Sequence, residues 1–355
     1  MQVLDCTPAT FSVAIASELV CDPPHMTPVV EARALRKVFR AKEKAPGLRA
    51  SLRSMVAPRY REVEAVTGIE LRIEPGEVLA FIGPNGAGKS TTIKMLTGIL
   101  YPTSGEARVL GLVPWRERQK LAFRISSVFG QRSQLWYHLP PGDSLDLLAH
   151  IYELDPPTYR ERLRKLVDQF EIGPLLDVPV RKLSLGERMR CEIVGSLLHR
   201  PAIVFLDEPT IGLDVVAKQL IRQHIQELNE QEGTTVFLTS HDAGDVEQLC
   251  RRVIMINHGS VVFDDSVLAL KQRFMRTKRI ELKLLEPAHD FDLRGLHVVR
   301  EEPYVLDVDV DTTVQPIERV IARLVERGGV ADITIEDPPL EAIIAEMYRA
   351  GAAAR

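Results

Sequence analysis

One nine-residue stretch narrows what this chain can fold into more than any other. GPNGAGKST, residues 83–91, fits G-x-x-x-x-G-K-[ST]. The apolar run VLAFI (78–82) leads into it, and Ile93, Met95, Leu96 and Ile99 follow at helical spacing. A buried strand, a glycine-rich bend and a helix are the context the motif requires. Gly83, Gly86 and Gly88 let the backbone curl until consecutive N–H groups point at phosphate oxygens. The helix N-terminus adds the positive end of its dipole. Pro84, Asn85, Ala87 and Thr91 complete the loop, Lys89 brings a full charge to the β- and γ-phosphates, and Ser90 offers a hydroxyl to Mg²⁺.

A second segment supplies what a phosphate cradle lacks. IVFLDEP (203–209) reads as a buried strand ending in Asp207, where a carboxylate reaches the metal, with Glu208 next in line. Asp207 is expected to ligate Mg²⁺ and Glu208 to act as general base on an attacking water. TVFLT (235–239) is a third apolar run of the same kind, and strands alternate with helices from 78 to 270, the pattern of an α/β sheet. Nucleotide hydrolysis is the chemistry these two motifs imply together.

Composition sets the outer limits. A chain of 355 residues that is 45% hydrophobic has ample material for a packed core and is read as two domains. A net charge of -4 gives no general attraction to nucleic acid, so none is expected as a partner. Cys6, Cys21, Cys191 and Cys250 are scattered, which argues against a zinc site or disulfide frame. No run approaches the roughly 18 to 20 apolar residues that cross a bilayer. FSVAIASELVC (11–21) is too short and too acidic at Glu18 for a secretory signal. Residues 1–27 are therefore read as an N-terminal extension, either disordered or upstream of a true start at Met26.

From residue 36 to 61, nine Lys or Arg face one acid, Glu43. The insertion at 41–59 is read as a solvated surface segment, with LRASLRSMV (48–56) able to form a short amphipathic helix and a contact with anionic lipid head groups or a membrane partner as the alternative. Residues 140–200 are mostly helical by pattern, with 132–190 read as a helical subdomain, and VIMINHGSVVF (253–263) reads as a hairpin. After Phe274 the character changes, and 275–355 is expected to form a small α+β domain.

From about residue 28 to 270 the sequence resembles the ATP-binding cassette family. The motifs occur in that family's order: GPNGAGKS (83–90), the glutamine of VFGQRSQ (128–134), LSLGERMR (183–190), LDEPTIGLD (206–214) and LTSHD (238–242). The resemblance implies an α/β P-loop NTPase fold with a mixed sheet core, an antiparallel β subdomain and a helical subdomain. It implies that Gln131 touches Mg²⁺ and water, that His241 contacts the γ-phosphate, and that ATP with Mg²⁺ is bound. An aromatic that stacks on adenine precedes the loop in this family; Tyr60 has the better spacing and Phe39 is the rival. Ser184, Gly186, Glu187 and Asp214 would reach the ATP of a facing protomer, whether an identical copy or another cassette.

The signature segment departs from the commonest form, LSGGQ: Leu185 stands for a glycine and Glu187 for a glutamine. Its S-L-G-E spacing is also a capping box, with Ser184 as N-cap and Glu187 at the third helical position. A carboxylate beside phosphate is unhelpful unless it points back to its own cap. The resemblance further implies integral membrane permease subunits on separate chains, a peripheral position on the cytoplasmic face of the membrane, and an exporter of the ABC-2 type. Leu135, Trp136 and Tyr137 would receive the membrane partner, with ordinary core packing as the alternative for this segment. A soluble cassette acting on DNA, the ribosome or iron–sulfur assembly is the alternative, and a kinase-like transferase leaves LSLGE, Gln131 and His241 without a role. No N-K-x-D guanine-reading motif is present.

Overall fold

The apolar runs become the centre of a six-stranded sheet ordered β5-β6-β7-β3-β8-β9 in the computed structural model. The structure describes residues 27–42, 60–130, 133–274, 277–287, 291–326 and 328–336, with Leu340 and Ile344 beyond them. The strands of this sheet are β3 (Val78–Ile82), β5 (Ile125–Phe129), β6 (Ile203–Asp207), β7 (Thr235–Thr239), β8 (Arg252–Asn257) and β9 (Ser260–Ser266). The first five run parallel, and β9 returns antiparallel to β8 through the hairpin seen in the sequence. The central strands are buried on both faces, which is why they read as continuous apolar runs.

Side-chain alternation divides these strands between two cores. Leu79, Phe81, Ile203, Phe205, Phe237, Ile254 and Ile256 face a three-stranded antiparallel sheet ordered β2-β1-β4. That sheet is built from β1 (Val30–Lys42), β2 (Tyr60–Ile73) and β4 (Ser104–Val109). Ala80, Ile82, Val204, Leu206, Val236 and Leu238 face the opposite core, shared with the helices that follow β5 and β6. Phe237 lies between Phe81 and Phe205, with centroids 5.2 and 5.4 Å away.

The helices are α1 (Lys89–Leu96), α2 (Arg118–Ala122), α3 (Pro141–Ile151), α4 (Pro156–Gln169), α5 (Leu185–Leu197), α6 (Val215–Glu232), α7 (Ala243–Leu249), α8 (Val267–Phe274) and α9 (Ile317–Val325). Three of them, α3, α4 and α5, fill the stretch expected to be helical. Two glycines let elements approach. A Cβ on Gly88 would stand 2.4 Å from Ala65 O, so β2 packs against the phosphate loop only because no side chain is there. Gly195 on α5 brings that helix against Leu148, Leu145 and Leu135, at 3.1, 3.4 and 3.6 Å from a Cβ placed there.

Beyond α8, β10 (Thr277–Leu284), β11 (His297–Glu302), β12 (Val305–Asp311) and β13 (Val330–Glu336) form an antiparallel sheet ordered β11-β12-β10-β13. Ile280, Leu282, Leu306, Val308 and Val310 pack with Val320 and Leu324 of α9 in a third core. Leu340 does not join it; it is buried in the larger core of the main sheet, with Ile344 beside it. The basic insertion at 41–59 lies almost entirely outside the described residues, and residues 1–26 lie wholly outside them.

Phe237→Ala removes the middle ring of the aromatic row and is expected to cost about 3–5 kcal/mol. The check is a urea titration, in which the unfolding midpoint falls with an unchanged slope.

Candidate nucleotide site

The parallel strands set the position of the site before any side chain is considered. β3, β5, β6 and β7 all deliver their C-terminal ends to one edge of the sheet, where ligands of open α/β sheets bind. Gly83 follows β3, Gly130 follows β5, Asp207 ends β6, and His241 lies two residues past β7. A cavity of about 740 Å³ opens there, lined by the phosphate loop from Pro84 to Thr91 and by Asp207, Glu208 and His241. These residues come together as the sequence implies.

The loop closes on itself through Ala87 N–H, which donates to Pro84 O at 3.1 Å, and it is fixed from outside by Gly259 N–H donating to Ala87 O at 3.0 Å. Gly88 is the N-cap of α1 with φ 108°, a left-handed conformation that turns the chain into the helix. Lys89 is 6% exposed. Its ammonium donates to Gly83 O at 2.5 Å and to Pro84 O at 3.4 Å, and lies 3.2 Å from His241 Nε2. Burial lowers its pKa, against the opposing pull of Glu208 and Asp207.

Asp207 is gripped on both oxygens. Ser90 Oγ donates to Oδ2 at 3.0 Å and Thr239 Oγ1 donates to Oδ1 at 2.6 Å. Glu208 has φ 58°, a left-handed conformation costing a non-glycine residue on the order of 1–3 kcal/mol. Its N–H donates to Thr239 O at 3.0 Å and to Thr239 Oγ1 at 3.1 Å, which holds that turn in place. The turn breaks the alternation of the strand, so two adjacent acids both line the cavity. Glu208 Oε1 sits 2.8 Å from His241 Nε2. One imidazole nitrogen cannot accept from the ammonium and donate to the carboxylate at once, and the shorter contact is the one to Glu208.

The loop carrying His241 is braced by a network that sequence reasoning missed. Asp245, fully buried on α7, accepts from Thr210 Oγ1 at 2.5 Å, Ser240 Oγ at 2.6 Å and Arg222 Nε at 2.7 Å. Arg222 also reaches Asp242, which pairs with Lys218. One carboxylate thus ties the segment after Glu208 to the segment bearing His241. Its sequence signal is a second aspartate in SHDAGD (240–245), five residues past Ser240. Thr239 was visible as the lone hydroxyl closing an apolar strand.

Ser184 caps α5, and the capping box is complete: Glu187 N–H donates to Ser184 Oγ at 3.3 Å while Ser184 N–H donates to Glu187 Oε2 at 2.8 Å. The bond from Ser184 holds the Glu187 carboxyl below its ordinary value. Asp214 caps α6 through Ala217 N–H at 2.9 Å. Ser184, Gly186, Glu187 and Asp214 do not line this cavity. Tyr60 is 59% exposed at the start of β2 and does not line it either; Ala65, five residues on, does. Leu135 is buried against Gly195 in the core rather than open to a partner, which leaves Trp136 and Tyr137 as the exposed part of that segment. Gln131 lies outside the described residues.

The chain matches the family profile described as ABC transporter over residues 66–211. It is 32% identical over 212 residues to ABC transporter ATP-binding protein NatA of Bacillus subtilis, covering 60% of this chain and 86% of that one. To daunorubicin resistance ATP-binding protein DrrA3 of Streptomyces coeruleorubidus it is 30% identical over 292 residues, 80% of this chain and 91% of the other. Among solved structures, cbiO1 from Clostridium perfringens, part of the ABC transporter complex cbiONQ, superposes with TM-score 0.56 at 27% identity, over 69% of this chain and 92% of that chain.

Gly88→Ala tests the cradle. A methyl group 2.4 Å from Ala65 O at φ 108° forces the loop or β2 to move. ATP binding by calorimetry is expected to be lost while the far-ultraviolet spectrum is kept; wild-type affinity contradicts the geometry.

Proposed function

The chain belongs to the ABC transporter family, and we propose that it is the ATP-hydrolysing engine of an ABC-2 type exporter, resting on the cytoplasmic face of the membrane and driving permease subunits on separate chains. ATP binding and hydrolysis belong to the family. No helix among the described residues is long and apolar enough to cross a membrane. The single observation carrying the reading is the convergence of Lys89, Ser90, Asp207, Glu208 and His241 on one cavity at the C-terminal edge of the parallel strands.

The phosphates would lie on the amides of residues 83–91, over the N-terminus of α1. Lys89, buried among carbonyls, exchanges them for the β- and γ-phosphate oxygens. Ser90 Oγ and Asp207 Oδ2, 3.0 Å apart, are hard oxygen donors of the kind Mg²⁺ takes alongside substrate phosphates. Mg²⁺ held there supplies neutralisation of the β- and γ-phosphate charge. Glu208 accepts the proton of a water whose oxygen bonds to the γ-phosphorus. The bond from that phosphorus to the β–γ bridging oxygen breaks, and its electron pair leaves with ADP. His241, already 2.8 Å from Glu208, orients that carboxylate and the γ-phosphate. Gln131 is assigned to metal and water, and Tyr60, rather than Phe39, to the adenine ring.

Ser184, Gly186, Glu187 and Asp214 serve the second ATP, on a facing cassette. Ser184 and the free N–H groups opening α5 present donors and a positive dipole end to that γ-phosphate. The Glu187 carboxylate is turned back to its own cap, which relieves the repulsion its charge would otherwise cause. ATP then closes a dimer and hydrolysis reopens it. Trp136 and Tyr137 face the membrane subunits, and residues 275–355 assist dimerisation or regulation.

Glu208→Gln is expected to bind ATP normally, lose at least about 100-fold in turnover, and accumulate as an ATP-dependent dimer by size-exclusion chromatography. Unimpaired hydrolysis removes the base assignment. Lys89→Ala is expected to weaken ATP binding by about 10- to 100-fold in the same calorimetric assay used for Gly88→Ala.

A further inference from the structure

A buried carboxylate that none of the chemistry above uses joins the two halves of the machine. Glu192 lies on α5, 4% exposed, in the mostly apolar run CEIVGSLL (191–198). Both of its oxygens are taken by one short loop. Ser133 Oγ donates to Oε1, and Gln134 N–H donates to Oε2 at 2.9 Å. Ser133 also lies 3.1 Å from Leu135 O, and Leu135 itself is locked into the core beside Gly195 of the same helix. Burial pushes the Glu192 carboxyl up, against the pull of the Ser133 hydroxyl and the amides of Gln134 and Leu135. Breaking these bonds strands a buried acid without donors, so the loop and α5 are held to move together.

The position of this joint gives it a consequence. The loop leaves β5 after Phe129, at the phosphate edge of the sheet, and Ser133 stands two residues after Gln131. Ser184 caps the N-terminus of the same helix, eight residues or roughly 12 Å along it from Glu192. We propose that Glu192 is the positioning residue that transmits the state of the chain's own nucleotide, felt by the loop after β5, to Ser184, which completes the ATP site of the facing copy. The inference rests on the reading that Ser184 acts across a dimer. It differs from a packing role because it requires acceptors at 192, not only volume.

The test compares Glu192→Leu, Glu192→Gln, Ser133→Ala and Ser184→Ala by ATP titration of steady-state hydrolysis, with nucleotide affinity measured separately by calorimetry. Glu192→Leu keeps the volume and loses both acceptors. It is expected to drop kcat by about 10-fold or more while ATP affinity stays within about 2-fold, since only a step after binding is touched. Glu192→Gln keeps an acceptor for the Gln134 amide, and its NH₂ donates to Ser133 Oγ, whose own proton turns from residue 192 to Leu135 O, 3.1 Å away; kcat within about 3-fold of wild type is expected. Ser133→Ala cuts the joint from the exposed side and is expected to lower kcat by about 3-fold, which keeps the test alive if Glu192→Leu does not fold.

Full activity in Glu192→Leu overturns the inference, as does a Glu192→Gln variant as impaired as the leucine. If Ser184→Ala is inactive while Glu192→Leu is not, only the transmission fails and the two-copy site stands. If Ser184→Ala is fully active, the two-copy reading falls and the inference falls with it.

Discussion

The molecule is organised around an ammonium held in a place where an ammonium is costly. Lys89 is buried at the foot of a glycine bend, with carbonyl oxygens of Gly83 and Pro84 as its near partners. Its charge is balanced at longer range by Glu208 and Asp207. Such a group favours any anion that can enter, and the amides of the bend and the dipole of α1 point the same way. Much else in the fold keeps that arrangement in register: β2 pressed against Gly88, the β8–β9 hairpin bonded to Ala87, and Thr239 holding both acids at the end of β6.

Two further carboxylates show how the reactive edge is wired to its surroundings. Asp245 gathers donors from the segments after β6 and β7, so that His241 and the residues following Glu208 share one brace. Glu192 gathers donors from the segment after β5 and fixes it to α5. Neither lines the phosphate cavity. Each binds a loop at the active edge to a helix pointing away from it. A local event at the phosphate then becomes a displacement of whole elements, because packed interiors shift as bodies and do not deform continuously.

The phosphate loop, the two acids after β6 and the central strands were legible from sequence because each carries a local signature: glycines at fixed spacing, a carboxylate ending an apolar run, and continuous apolar runs buried on both faces. The capping box at Ser184 was legible for the same reason, four residues sufficing to define it. The braces were not, since Asp245 meets Thr210 and Glu192 meets Ser133 across 35 and 59 positions. Spacing holds no record of such pairs; for Glu192 the available hint was an acid inside the mostly apolar run CEIVGSLL (191–198). Leu135 was grouped with Trp136 and Tyr137 as a partner groove by resemblance, with core packing as the alternative, and the gap left by Gly195 draws it inward. Tyr60 shows the opposite case: an aromatic at the start of β2 that stays exposed and joins no core.

The claim beneath the rest is that one chain holds half of each ATP site. Mixing Ser184→Ala with Glu208→Gln tests it directly, since each variant lacks a different half. Neither should turn over alone. Half of the randomly formed dimers would then carry one intact composite site of two, so the mixture should recover about a quarter of wild-type hydrolysis. A mixture no more active than its two parents would contradict the account.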